Sequence, residues 1–149
     1  MGQIDIMPMT LDDLEQISSI LLSDFDDFWS ISTLKSELQN ENSYYYVAKE
    51  NEIIVGFAGI WKAVDEVHVT DIVVKKDFRK LGIGSLLLEH LINMGKLLEN
   101  ITCITLEVDE QNIVAQNLYK KYNFIPLGIR KNYYGLNKNA IIMTFTYNN

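Results

Sequence analysis

Apolar residues recur along this chain at two spacings, and each spacing predicts a kind of element. Ile4 and Ile6, with Met7 beside them, alternate as a short first strand. Thr10 then precedes Leu11, Leu14, Ile17, Ile20 and Leu21, which share one helix face. Thr10 is the expected N-cap. Asp12 and Asp13 fall in the first turn, where the helix dipole favours negative charge. A second short helix is predicted from Ser30 or Ser32 through Lys35 and Leu38. Residues 44–49 and 53–61 read as strands joined by Glu50-Asn51-Glu52, a hairpin signal. Residues 66–74 form a third strand. Its Val67, Val69, Ile72, Val73 and Val74 suit one covered on both faces.

The strongest helical stripe follows. Ile83, Leu87, Leu91, Met94 and Leu98 repeat at three- to four-residue steps, and Leu86, Leu88 and Ile92 widen it. Residues 101–108 are strand-like. Residues 112–122 are helical, with Ala115, Leu118 and Tyr119 at helical spacing. Residues 124–130 and 140–147 close the chain as strands, and residues 131–139 between them read as a polar, aromatic loop. The order β-α-α-β-β-β-α-β-α-β-β predicts an α/β domain with a mixed sheet and helices on both faces. An antiparallel meander leads into one strand-helix-strand crossover, which should be right-handed and pair its strands in parallel. There is no internal repeat, and only Pro8 and Pro126 punctuate the chain, so residues 1–149 are expected to be one domain.

Composition narrows the function classes. The chain has 149 residues, 48% of them hydrophobic, which suits a compact domain with a real core. A single cysteine, Cys103, excludes a disulfide framework or a Cys-rich zinc module. No apolar run approaches the ~20 residues of a membrane helix. Met1 to Met7 carries no basic residue before an apolar core, so no signal peptide is expected there, and Ile6 stands where a myristoylation signal wants Ser or Thr. A cytoplasmic protein, monomeric or weakly dimeric, is the expectation. The net charge of −7 argues against direct nucleic-acid binding, which needs clustered Lys and Arg. It would suit a basic peptide or amine, although acidity also serves solubility alone.

Arg79-Lys80-Leu81-Gly82-Ile83-Gly84 lies between an apolar strand and the long helix. A helix start presents free N–H groups at the positive end of the dipole. Gly82 and Gly84 would let a ligand approach the backbone closely, and Arg79 and Lys80 add positive charge. That combination describes a pyrophosphate seat. It is neither a Walker loop nor a Rossmann fingerprint. On the glycines alone, a simple turn into a helix fits equally well.

Chemistry-bearing side chains cluster later in the chain. In the strand that ends at Val108, Ile104, Leu106 and Val108 share one face, while Cys103, Thr105 and Glu107 share the other. Partial burial would raise the pKa of Glu107 towards that of a general base, whereas a strand-end Glu turned to solvent fits the same pattern. Asp71 is a second candidate base. Asn112, Ala115 and Tyr119 form one helical stripe. Tyr119 is either a proton donor or a core Tyr, and Asn112 either a ligand contact or an N-cap. Cys103 reads as a buried structural thiol, and His68 and His90 lack metal-ligand spacing, so no metal site is expected. Tyr44, Tyr45 and Tyr46 read as strand packing.

With these residues in view, 79–84 resembles the Arg/Gln-x-x-Gly-x-Gly/Ala acetyl-CoA motif of the GNAT N-acetyltransferases. Leu106-Glu107-Val108, Asn112, Ala115, Leu118-Tyr119, Phe124, Arg130-Lys131-Asn132-Tyr133-Tyr134 and Ala140-Ile141-Ile142-Met143 resemble the RimI family within them, as does Phe28-Trp29-Ser30. The likeness spans almost the whole chain. It implies the GNAT (acyl-CoA N-acyltransferase) fold, a twisted, mostly antiparallel sheet with a splayed parallel central strand pair. It also implies acetyl transfer from acetyl-CoA to the N-terminal alanine of small-subunit ribosomal protein 18, by direct attack in a ternary complex. By the same resemblance Glu107 is the general base and Tyr119 the general acid. Ile72, Val73 and Val74 bind the acetyl-pantetheine through their backbone. Arg79, Lys80, Leu81, Gly82, Ile83, Gly84 and Ser85 hold the pyrophosphate, Asn112 touches the cofactor, and Trp29, Tyr133 and Tyr134 frame the peptide. Asn123 stands where the family has Gly, Lys138-Asn139 where an acidic pair is common, and Asp71 where Asn is commoner. The competing readings are a GNAT enzyme with another protein or small amine as acceptor, and a CoA-binding module without turnover.

Overall fold

A computed structural model describes residues 2–18 and 31–148. Its elements are β1 (Ile4–Pro8), α1 (Leu11–Ser18), α2 (Ile31–Gln39), β2 (Ser43–Glu50), β3 (Ile53–Ala63), β4 (Glu66–Val74), a 3-10 turn (Lys76–Phe78), α3 (Ile83–Leu97), β5 (Cys103–Asp109), α4 (Ile113–Lys121), β6 (Ile125–Gly135) and β7 (Lys138–Thr146). The seven strands form one sheet in the order β1-β2-β3-β4-β5-β7-β6. Every junction is antiparallel except β4–β5, which is parallel with α3 as its crossover.

Local sequence accounts for the element boundaries. Thr10 and Asp13 cap α1 reciprocally: the Asp13 N–H donates to Thr10 Oγ1 at 3.1 Å and the Thr10 N–H donates to Asp13 Oδ2 at 2.9 Å. The turn between β2 and β3 is Asn51-Glu52, with φ of 49° and 70°, the double left-handed geometry that matches strand twist in a two-residue hairpin. The end of α4 uses Asn123 at φ 71°, and Phe124 N–H returns to Tyr119 O at 3.0 Å. Asn thus performs the left-handed helix stop that glycine usually provides.

Alternation along β2 divides the core in two. Tyr46 and Ala48 face the cluster built on Ile83, Leu87, Leu88 and Leu91 of α3, which takes in Ile104, Leu106 and Val108 of β5. Tyr45 and Val47 face Leu14 and Ile17 of α1 and Leu34 of α2 on the other side. Helices therefore cover both faces of β1–β4, as expected, and each fully buried leucine of α3 contributes about 1.5–3 kcal/mol. The expected loop at residues 131–139 is corrected: β6 continues to Gly135 and β7 begins at Lys138, leaving a two-residue tip. Asn side chains hold this irregular hairpin, with Asn137 N–H donating to Asn132 Oδ1 at 2.7 Å and Asn132 N–H to Asn139 Oδ1 at 2.9 Å. No described helix is long and apolar enough to cross a membrane.

Candidate active site

The parallel pair β4–β5 opens almost as soon as it forms. Pairing is confined to Glu66–Cys103, Val67–Ile104 and His68–Thr105, after which the strands diverge. A bulge accompanies the divergence: Gly59 faces Asp71 and Ile60 faces Val69, so Thr70 is an extra residue in β4. Past it, the Lys75 N–H bonds Val55 O of β3 at 2.8 Å. Backbone groups alternate along a strand, so those of Asp71 and Val73 face β3, and those of Ile72 and Val74 face the gap. The Val73 side chain packs in the cluster beneath α1 and α2. Of the three expected thioester-binding residues, Ile72 and Val74 thus present backbone to the gap, and Val73 turns away. Arg79 Nε donates to Val74 O at 3.1 Å, tying the next loop to the end of β4.

That loop delivers the chain into α3. Lys80 has φ 64° and Gly82, the N-cap, φ 88°, a conformation in which glycine alone is unstrained. No side chain caps the first turn of α3, and a Cβ at Gly82 would meet nothing within 4 Å. Lys80 and Leu81 are exposed, Ile83 is buried in the core, and Gly84 and Ser85 are half-buried. The first-turn N–H groups and the positive end of the helix dipole therefore stand uncovered beside the gap, a fit for a diphosphate.

Candidate side chains stand on both faces of the sheet around β5. The predicted alternation of β5 holds: Ile104, Leu106 and Val108 are buried against α3, while Cys103, Thr105 and Glu107 face a groove of about 430 Å³. Arg130 of β6 shares that face, and its Nε donates to Glu107 Oε1 at 3.1 Å. Tyr119 of α4 packs on the opposite face, against the α3 cluster and 6.0 Å from the Phe124 ring. Burial pushes its hydroxyl up to about 12, and the charge of Asp71 acts in the same direction. The Tyr134 hydroxyl, in a residue that is itself 45% exposed, is likewise raised to about 12, by partial burial and then by Tyr133, Asp109, Glu107 and Tyr119. It therefore lies within electrostatic reach of both candidate catalytic side chains. Tyr133 stacks edge-on to Tyr134 at 4.9 Å. Asn112 is the N-cap of α4, its Oδ1 accepting from Ala115 N–H at 3.1 Å. Trp29 lies outside the described residues.

Comparison with known proteins settles the family. The profile of the acetyltransferase (GNAT) family matches residues 14–124. The chain belongs to the GNAT acetyltransferases. A Bacillus subtilis (strain 168) protein, provisionally named a [ribosomal protein bS18]-alanine N-acetyltransferase, is 34% identical over 142 residues, covering 94% of this chain and 93% of its own. The crystal structure of the ribosomal-protein-S18-alanine N-acetyltransferase from Escherichia coli superposes with a TM-score of 0.84 at 30% identity, covering 97% and 94% of the two chains. Arabidopsis thaliana NAA60, solved in complex with acetyl-CoA, shares the fold at a TM-score of 0.84 and 16% identity, covering 99% and 100% of the two chains. The expected fold, mixed and splayed at its centre, and the expected enzyme class are both borne out.

Within this GNAT domain the sequence reading missed Arg130 as a site residue. The register that pairs Arg130 with Ala140, while Glu107 pairs with Ile142, sets both on one face, and register is not written in either segment alone. Cys103 is corrected from a buried structural thiol: it is half-buried and lines the groove, although burial raises its pKa and so lowers its reactivity. His90 packs edge-on to Tyr46 at 4.5 Å, and burial lowers its pKa. Among the described residues no group of three His, Cys, Asp or Glu side chains is placed to hold a metal ion.

Proposed function

We propose that this GNAT enzyme transfers the acetyl group of acetyl-CoA to the N-terminal α-amine of a protein, an alanine of small-subunit ribosomal protein 18, by direct attack in a ternary complex. The reading is supported by Glu107, two residues beyond the last β4–β5 pair, and Tyr119 standing on opposite faces of the sheet with Tyr134 in electrostatic reach of both. The names of the relatives supply the acceptor. On this reading the enzyme works in the cytoplasm, as a monomer or weak dimer.

Acetyl-CoA supplies an activated acyl group as a thioester. The loop and first turn of α3, Lys80 to Ser85, are suited to hold its diphosphate, with the Ile72 and Val74 backbone groups along the gap beside them. Backbone N–H groups fixed there would stabilise negative charge developing on a carbonyl oxygen. An α-amine has a pKa near 8, so roughly a tenth is neutral at pH 7 and the base has little to overcome. Glu107 accepts the proton the nitrogen loses as the N–C bond forms. Arg130 holds that carboxylate towards the groove. Tyr119, protonated throughout the neutral range, gives its proton to the departing sulfur as the C–S bond breaks. Ordering the amine against the thioester supplies the remainder of the rate. The flanking pair Tyr133 and Tyr134, both exposed at the β6–β7 hairpin, would frame the acceptor peptide.

The test is a panel of acceptors with acetyl-CoA: peptides with free N-terminal alanine, the same peptides blocked, lysine side chains and polyamines. Turnover confined to free α-amines, strongest on the ribosomal sequence, supports the reading. Preference for polyamines or lysine would transfer the enzyme to another acceptor class. Binding of acetyl-CoA without turnover of any amine would leave a CoA-binding module.

A further inference from the structure

Tyr45 of β2 lies directly across from Gly59 of β3, and Gly59 lies across from Asp71 of β4. A Cβ at position 59 would overlap the Tyr45 ring, so the missing side chain is what lets the ring lie flat across β3. The ring spans that strand and brings its hydroxyl 2.9 Å from Thr70 Oγ1. Thr70 is the extra residue of the β4 bulge, the one residue there that the antiparallel ladder with β3 does not fix. Three strands therefore contribute to one contact: a buried phenol from β2, a bare backbone in β3 and a bulged hydroxyl in β4.

The location gives the contact a role. Thr70 separates His68, the last β4 residue paired with β5, from Ile72 and Val74, whose backbone groups face the gap. A bulge resets the two-residue alternation, so the conformation at Thr70 determines which backbone groups downstream face the gap and which face β3. We propose that Tyr45 and Thr70 form a latch that fixes this bulge, which makes Tyr45, on the sheet face opposite α3, a positioning residue for the acyl end of acetyl-CoA. The proposal rests on the reading of the gap as the thioester site. Burial, with the charges of Asp71 and Glu37, outweighs the lowering effect of the Thr70 contact and pushes the Tyr45 hydroxyl up to about 12, so the latch holds throughout the working pH range.

The test uses Tyr45→Phe, Thr70→Val, the double variant and Thr70→Ser in the full-length chain. Affinities for acetyl-CoA and for CoA without its acetyl group are measured by calorimetry, kcat/KM for acetyl-CoA with an alanine peptide, and melting temperature alongside. Loss of one neutral hydrogen bond should lower acetyl-CoA affinity and kcat/KM about three- to tenfold in either single variant. The double variant should fall no further, because both changes break the same contact. Thr70→Ser should recover most of the loss, and CoA itself should bind within twofold of wild type. Two results overturn the latch: losses that multiply in the double variant, or equal weakening of CoA and acetyl-CoA with a lowered melting temperature. Failure of the wild type to distinguish acetyl-CoA from CoA and to acetylate any amine would instead remove the reading of the gap, and the latch with it.

Discussion

Replacing Tyr119 with Phe tests the proposed proton donor with little structural disturbance. The substitution deletes one hydroxyl and keeps the ring that packs 6.0 Å from Phe124, so stability at neutral pH should change by less than about 1 kcal/mol. A general acid contributes roughly 10²–10⁴ in rate, and a thiolate leaves readily, so the lower end applies: a fall in kcat of about 100-fold. Affinity for CoA should stay within threefold. Thiol release reports turnover and calorimetry reports binding. The hydroxyl also leaves a signature in alkaline stability. Its folded pKa is about 12, above the roughly 10 of an exposed tyrosine. The folded state thus holds the proton more tightly, and this contribution is complete below pH 10 and is lost as pH rises through 12. Two pKa units correspond to at most roughly 2–3 kcal/mol. Tyr119→Phe should therefore show a shallower alkaline loss of stability, by about one proton. Equal losses of kcat and CoA affinity would make Tyr119 a packing residue, and an unchanged alkaline curve would refute the burial argument.

Two further substitutions probe other parts of the molecule. Gly82→Val places a branched side chain at φ 88° on the uncovered end of α3, and CoA affinity should fall more than tenfold by calorimetry; unchanged affinity would take the diphosphate away from that helix. Asp13→Asn removes the charge of the 2.9 Å ion pair with Lys49 and weakens the bond that Asp13 Oδ2 accepts from the Thr10 N–H, while the Asp13 N–H still donates to Thr10 Oγ1, at a cost of about 1–3 kcal/mol in denaturant unfolding. Burial alone would raise the Asp13 pKa, but hydrogen bonds from Lys49 and Thr10 outweigh it and lower the pKa. The stabilisation is therefore present above about pH 4 and is lost as pH falls further, and the Asn variant should lack that acid dependence.

Several parts of the site were legible because they depend on local order. The α3 stripe, the alternation that turns Glu107 away from Leu106 and Val108, and the cap at Asn112 each follow from spacing within one element. Asn123 was readable too, since only a few residue types accept a left-handed helix stop. Features that depend on register were not. The Thr70 bulge exists only relative to β3, and the Arg130–Glu107 contact only because β6 and β7 pair as they do. The β6–β7 hairpin escaped for a different reason. Its residues lack apolar alternation, and Asn132 and Asn139 hold it through side-chain bonds that mimic a ladder.

The three-pair junction of β4 with β5 has a mechanical consequence. Other neighbours in this sheet are stitched over at least five pairs, so the domain is two half-sheets hinged along a short seam. Backbone bonds do not fix how far the halves stand apart above that seam. The spacing is set from below, by the apolar cluster that joins Leu87, Leu88 and Leu91 to Val55 of β3 and to Leu106 and Val108 of β5. On the proposed reading, the aperture for acyl transfer is thus calibrated by oily side chains of the core.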